Sequence, residues 1–110
     1  MTIKKLLIAN RGEVAVRIAR AAADLDIATV AIYPADDERA LHTRVADRAV
    51  ALSGQGVAAY LDGEQLVKVA LEQGCDAVHP GYGFLSESRD FAAACADAGL
   101  IFVGPDADTL

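Results

Sequence analysis

Tryptophan is absent from this chain of 110 residues, and aromatics make up only 5% of it. The core must therefore be built from small side chains, and alanine is the commonest residue. No uninterrupted apolar run approaches the roughly 18 residues of a membrane span, which excludes a spanning helix. Residues 1–9 begin like the basic end of a secretion signal. Asn10, Arg11, Gly12 and Glu13 then cut the apolar run short, and no cleavage site follows. Cysteine is scarce too. Cys75 and Cys95 stand far apart with no CxxC and no His at ligand spacing, so both are expected as small core residues in a reducing cytoplasm. Lysine is confined to Lys4, Lys5 and Lys68, none of which follows a glycine-rich loop. No cluster of Lys and Arg relieves the acidic balance. Ten basic residues against 16 acidic ones leave a formal charge of −6, a poor footprint for nucleic acid.

What is present suits one globular domain over residues 1–110, with 54% apolar and 24% charged residues. Strand-like apolar runs alternate with helical patterns. Strands are predicted at 3–9, 28–33, 49–52, 77–79 and 100–103. Helices are predicted at 13–25, weakly at 40–46, at 62–73 and at 87–98. In the first helix Val14, Ile18, Ala21, Ala22 and Leu25 share one stripe, opposite Glu13, Arg17, Arg20 and Asp24. Asp62 and Gln65 form a capping-box pattern, and Gly74 ends that helix. Gly104-Pro105 breaks the last strand, and a further helix is expected to start at Asp106 or Asp108. The alternation implies an α/β fold: a doubly wound, mostly parallel sheet of five strands with helices on both faces.

In such a sheet the first strand-to-helix turn usually receives phosphate. Here it reads Asn10-Arg11-Gly12-Glu13, with one glycine where a dinucleotide fingerprint has three. Glu13 suits the positive end of the helix but would repel a pyrophosphate. Tyr33-Pro34 stands where a ribose-binding carboxylate would be, and no P-loop pattern exists. The most unusual stretch is His79-Pro80-Gly81-Tyr82-Gly83-Phe84-Leu85-Ser86-Glu87, just past a strand end, where open α/β sheets bind ligands. Two glycines around Tyr82 let the backbone bend and a ligand approach closely. Glu87 could act as a base, accept a hydrogen bond from a distant cation, or merely charge the first turn of a helix. The bland alternative is a turn that starts a helix, capped by Ser86 or Ser88. His79 reads as a packed strand-end residue, and His42 has no evident partner. The Glu13–Arg17 and Arg20–Asp24 spacings read as ordinary solvent-side pairs, with a partner-binding face as the alternative. No catalytic set and no metal cluster is visible, so the domain reads as supporting a site more than containing one.

These residues resemble a known family. The run from Lys5 through Asn10-Arg11-Gly12-Glu13-Val14-Ala15, with Arg17-Ile18, looks like the start of biotin carboxylase. So do the stretch from His79 to Glu87 and Phe102-Val103-Gly104-Pro105. The resemblance is to the N-terminal domain of the carboxylase subunit of acetyl-, propionyl- or related acyl-CoA carboxylases; pyruvate carboxylase begins similarly. It implies an ATP-grasp enzyme that uses MgATP and bicarbonate to carboxylate biotin on a carrier protein, the carboxybiotin then feeding a carboxyltransferase. It also implies that the ATP, Mg²⁺ and catalytic residues lie beyond Leu110. The chain would be a piece of a larger cytoplasmic ligase, inactive alone, with no catalytic residue and no metal or cofactor of its own. By resemblance, Tyr82 and Gly83 lie beside the biotin and bicarbonate pocket with Glu87 near it. Arg17, Arg20 and Asp24 resemble a homodimer contact on the first helix. Asp24 is shorter than the Glu usual there, and residues 33–39 and 53–59 depart from the commoner pattern. Two other readings stay open: a stand-alone nucleotide-binding module, and an assembly module built on the first helix.

Overall fold

The structure is a computed structural model and describes residues 3–103. The expected break at Gly104-Pro105 and the helix start at Asp106 or Asp108 lie outside the described residues. Five strands form one sheet: β1 (Lys5–Ile8), β2 (Ala28–Tyr33), β3 (Arg48–Ala51), β4 (Ala77–His79) and β5 (Ile101–Phe102). They lie in the order β3-β2-β1-β4-β5, and every pairing is parallel. The helices are α1 (Gly12–Asp24), α2 (His42–Val45), α3 (Gly56–Tyr60), α4 (Gly63–Glu72) and α5 (Arg89–Asp97), with a 3-10 turn at Ala35–Asp37.

Side-chain alternation along β1 explains the layers. Leu6 and Ile8 face α1, where they meet Ala15, Ala19 and Ala22. Leu7 and Ala9 face the opposite layer with Val30, Ile32, Leu66, Phe91 and Cys95. Both faces of the sheet are thus apolar, as the strand composition requires. The chain winds from β1 outward through β2 to β3, then returns to start β4 on the other side of β1. The strand order therefore reverses between β1 and β4. The loops leaving those two strands lie side by side at this reversal, the place where such sheets form a ligand crevice.

Three local expectations need correction. The buried face of α1 is Ala15, Val16, Ala19 and Ala22, whereas Ala21 is exposed and Leu25 is 72% exposed. The helix rests on its smallest side chains, which let its axis approach the sheet closely, and this turns the predicted stripe partly outward. Asp62 does cap α4 by accepting from the Gln65 N–H at 3.2 Å. The reciprocal half of the box does not form, because the Asp62 N–H already donates to the Ala59 carbonyl. The Gln65 side chain instead accepts from the Ser53 N–H and donates to the Ser53 carbonyl and the Asp62 carboxylate. Finally, α3 occupies residues for which the sequence pattern predicted no helix; its five residues are too short for a periodic signal.

The cysteines are buried and free, and burial pushes both thiols up to about 11, which keeps them unreactive at neutral pH. No described helix is long and apolar enough to cross a membrane.

Candidate functional site

The crevice begins with Asn10, two residues past the end of β1. It is 2% exposed, and a buried amide must find partners. Its Nδ2 donates to the Pro80 carbonyl at 2.7 Å and to the Tyr82 carbonyl at 2.9 Å, and its Oδ1 accepts from the Arg11 N–H at 2.8 Å. The two motifs singled out in the sequence, some seventy residues apart, are thus joined by one side chain. The 81–84 loop itself is unusual backbone. Gly81 and Gly83 have φ of +67° and +69°, which glycine adopts freely, but Phe84 has φ +46°, which a bulky residue rarely tolerates. Phe84 is held there by packing: its ring lies 5.5 Å from that of Tyr60. The other described non-glycine residue at positive φ is Asp26, a type that tolerates it; a bulky residue held there, as Phe84 is, fits a pattern common at binding sites.

A second group of polar residues buttresses the first turn. Arg11 donates through Nε and an Nη to both oxygens of Asp37, at 2.8 and 3.0 Å. Its guanidinium also sits 6.0 Å from the centre of the Tyr60 ring, within range of a cation–π contact. Tyr60 is fully buried, and its hydroxyl donates to Asp37 at 2.7 Å. His42 is 1% exposed, with Nε2 2.9 Å from the Ile32 carbonyl and 3.3 Å from the Tyr60 oxygen. A carbonyl only accepts, so His42 carries its proton on Nε2. Its Nδ1 then has no partner among the described residues. The hydrogen bonds from Arg11 hold the Asp37 carboxyl below the usual carboxylate range. Burial raises the Tyr60 phenol, and the bond to Asp37 adds to that, so it stays protonated. Burial lowers the His42 imidazole, which stays neutral.

That last shift predicts a pH dependence. His42 and the half-buried His79 both have pKa values lowered by burial from 6.5. The unfolded chain therefore binds these protons more readily than the folded one. Their contribution to stability is complete above about pH 6.5 and is lost as pH falls through the lowered folded values. The urea midpoint should drop on acidification from pH 7.5 to about 5, less steeply in His42→Gln. A midpoint that rises over that interval would contradict the assignment of both rings as neutral.

The structure distributes the sequence-predicted residues as follows. Tyr82 and Gly83 share the clamped loop at the crevice, and Tyr82 is 69% exposed. Glu87 is exposed, just before α5, and its side chain makes no hydrogen bond among the described residues. Ser88, not Ser86, is the α5 cap, accepting from the Phe91 N–H. His79 packs at the strand end, as expected, with Nδ1 accepting from the Gly81 N–H. Arg17, Arg20 and Asp24 line the exposed side of α1, away from the sheet. Arg17 pairs with Glu13 at 3.2 Å, but among the described residues Arg20 and Asp24 form no ion pair. Exposed pairs at this spacing are worth only a few tenths of a kcal/mol, too little to hold one geometry. Sequence reasoning missed Asn10 as a clamp and the Asp37, His42 and Tyr60 group. The available signal was a histidine and a tyrosine inside short runs with no solvent-side pattern.

The arrangement can frame a ligand, but it holds little chemistry of its own. Among the described residues no three His, Cys, Asp or Glu side chains come together as a metal site. Lys68 is exposed on α4, and Glu13 stands in the first turn of α1. Among the described residues these side chains do not fit a site for a nucleotide triphosphate and its magnesium ion.

A family model described as the biotin carboxylase N-terminal domain matches residues 2–110. The biotin carboxylase domain of a single-chain bacterial carboxylase is 64% identical and superposes with a TM-score of 0.94, covering 96% of this chain and 25% of that one. A single-chain, multi-domain long-chain acyl-CoA carboxylase is 52% identical with a TM-score of 0.93, over 94% of this chain and 11% of that one. The mitochondrial pyruvate carboxylase of Rattus norvegicus is 52% identical over 98% of this chain and 9% of its own length. The chain therefore spans only about a tenth of the length of the curated relatives it matches.

Proposed function

This chain belongs to the biotin carboxylase N-terminal domain family, and from that premise we propose that it is the first domain of an ATP-dependent biotin carboxylase. The whole enzyme would use MgATP and bicarbonate to carboxylate N1′ of biotin on a carrier protein, releasing ADP and phosphate. The observation that carries this reading is the clamped loop at the crevice, with Tyr82 and Gly83 exposed on it. These two residues border the biotin and bicarbonate pocket, and Glu87 lies near it. What the chain's own residues do there is shape and orient. Asn10 and Phe84 hold the loop, and Arg11 with Asp37 braces the turn beneath it. ATP and Mg²⁺ would be held by the remaining ATP-grasp domains, because the residues present here do not suit them. The carboxybiotin would pass to a carboxyltransferase.

Two finer points follow. We take the final acceptor to be an acyl-CoA such as acetyl- or propionyl-CoA, a reading supported by the acyl-CoA carboxylase of like fold. Pyruvate is the second reading, supported by equal identity to a pyruvate carboxylase. We also take the exposed Arg17, Arg20 and Asp24 face as a homodimer contact, since Leu25 beside it leaves apolar surface open to a partner. The expected compartment is the cytoplasm, in keeping with the two free thiols.

The test is phosphate release from ATP that depends on both bicarbonate and biotin. It should be present in the full-length carboxylase that carries this chain and absent from the chain alone. Activity of the 110-residue chain by itself would show that the ATP site had been misplaced. Acetyl-CoA, propionyl-CoA and pyruvate tried in turn would identify the acceptor. Sedimentation of the full-length protein and of Arg20→Glu tests the dimer; an unchanged dimer in the variant removes this face from the contact.

A further inference from the structure

We propose that Asn10 is the positioning residue for the ligand-facing loop: its side-chain amide sets the backbone of residues 80–84 and so places Tyr82 and Gly83. The inference rests on the reading of this domain as part of a biotin carboxylase and adds a residue outside the loop to that site.

The hydrogen bonds leave the amide no freedom. Its two Nδ2 protons go to two different acceptors, the Pro80 and Tyr82 carbonyls, and Oδ1 takes the Arg11 N–H. A flipped amide would set its oxygen against two carbonyls and its NH₂ against an N–H, so only one orientation satisfies the set. The two acceptors are alternate residues, and the chain passes between them through Gly81 at φ +67°. The backbone therefore wraps around Nδ2. A Cβ built on Gly81 would lie 2.7 Å from Nδ2 and 2.7 Å from Val14 Cγ1, which shows how tight the wrap is. Tyr82 itself supplies no anchor, being 69% exposed and, among the described residues, bonded only through its backbone carbonyl. Its position is thus inherited from Asn10 on one side and from the Phe84 ring against Tyr60 on the other.

The informative variant is Asn10→Asp. It keeps the side chain's shape but turns an anionic oxygen toward two carbonyls, so the loop must leave the clamp or rotate. In the full-length carboxylase two quantities are read. Hydrogen exchange at the 81–86 amides should speed up. The KM for free biotin should rise about tenfold, while the KM for ATP and the thermal midpoint relative to a control change little. The control is Asp47→Ala, which removes the bonds to Thr29 at the N-terminal ends of β2 and β3, the end of the sheet away from the loop, and costs stability without touching the loop. Unchanged exchange overturns the clamp. Faster exchange with biotin and ATP affected alike, or with a loss matched by Asp47→Ala, overturns the positioning role and leaves Asn10 as plain turn chemistry. Where Asn10→Asp does not fold, Asn10→Ser, which retains a single donor, should show the same split in weaker form, and the same outcomes decide. If the unaltered enzyme shows no biotin-dependent carboxylation, the functional reading fails, and the exchange measurement still tests the clamp.

Discussion

Tyr60→Ala should remove about 3–5 kcal/mol of stability, the usual cost of deleting a large buried aromatic. A domain of this size has only about 5–15 kcal/mol in total, so much of the folded population would be lost on mild warming. The reason is position. Tyr60 has no exposed surface, its ring packs against Phe84, and its hydroxyl bonds to Asp37 beside His42. Removing it opens a cavity and leaves one carboxylate oxygen of Asp37 with a single partner. Tyr60→Phe separates the two contributions. It keeps the ring and loses only the hydroxyl, so it should cost about 1 kcal/mol. Asp37 would still be held by Arg11. Urea denaturation of both variants is the check. A Tyr60→Ala loss no larger than that of Tyr60→Phe would mean the ring is not a structural centre.

Gly81→Ala should be the next most damaging change, and its comparison with Gly74→Ala is what makes it informative. Both glycines have positive φ, +67° and +72°, so each substitution incurs about 1–2 kcal/mol for left-handed backbone. They differ in surroundings. A Cβ at Gly74 meets nothing within 4 Å, whereas one at Gly81 meets Asn10 and Val14 at 2.7 Å. Overpacking of that kind adds about 1–3 kcal/mol. Gly81→Ala should therefore destabilise by about 2–5 kcal/mol and Gly74→Ala by about 1–2 kcal/mol. Equal losses would show that backbone conformation alone, and not the close approach of Asn10, demands glycine at 81.

The arithmetic of these two cases shows how unevenly the molecule could be read from its residues. β2 at Ala28–Tyr33 and β4 at Ala77–His79 were legible to the residue, because Pro34 and Pro80 end them sharply. The ends of β1 and β5 were overestimated, since apolar composition continues past the last paired positions. The α1 stripe was legible as helical but was placed off its true centre. Helical period identifies an apolar side; which part of it touches the sheet depends on how closely alanines allow the helix to approach. The candidate loop was legible from its glycines around a tyrosine. Its partner, Asn10, was visible only as a turn residue, because nothing in a sequence says that positions 10, 80 and 82 meet.

By itself, then, the sequence determined the class of fold and singled out the candidate loop. Alternating strand and helix periods leave few topologies, parallel strands bury both faces, and ligand loops fall at strand ends. These are local consequences of backbone geometry and burial. Only the tertiary structure decided that the strand order reverses between β1 and β4, that one buried amide ties the two motifs together, and that His42 and Tyr60 meet Asp37 beneath the turn. Those are contacts between residues far apart in the chain. They are selected by packing and by the need to satisfy buried polar groups, neither of which leaves a periodic trace along the sequence.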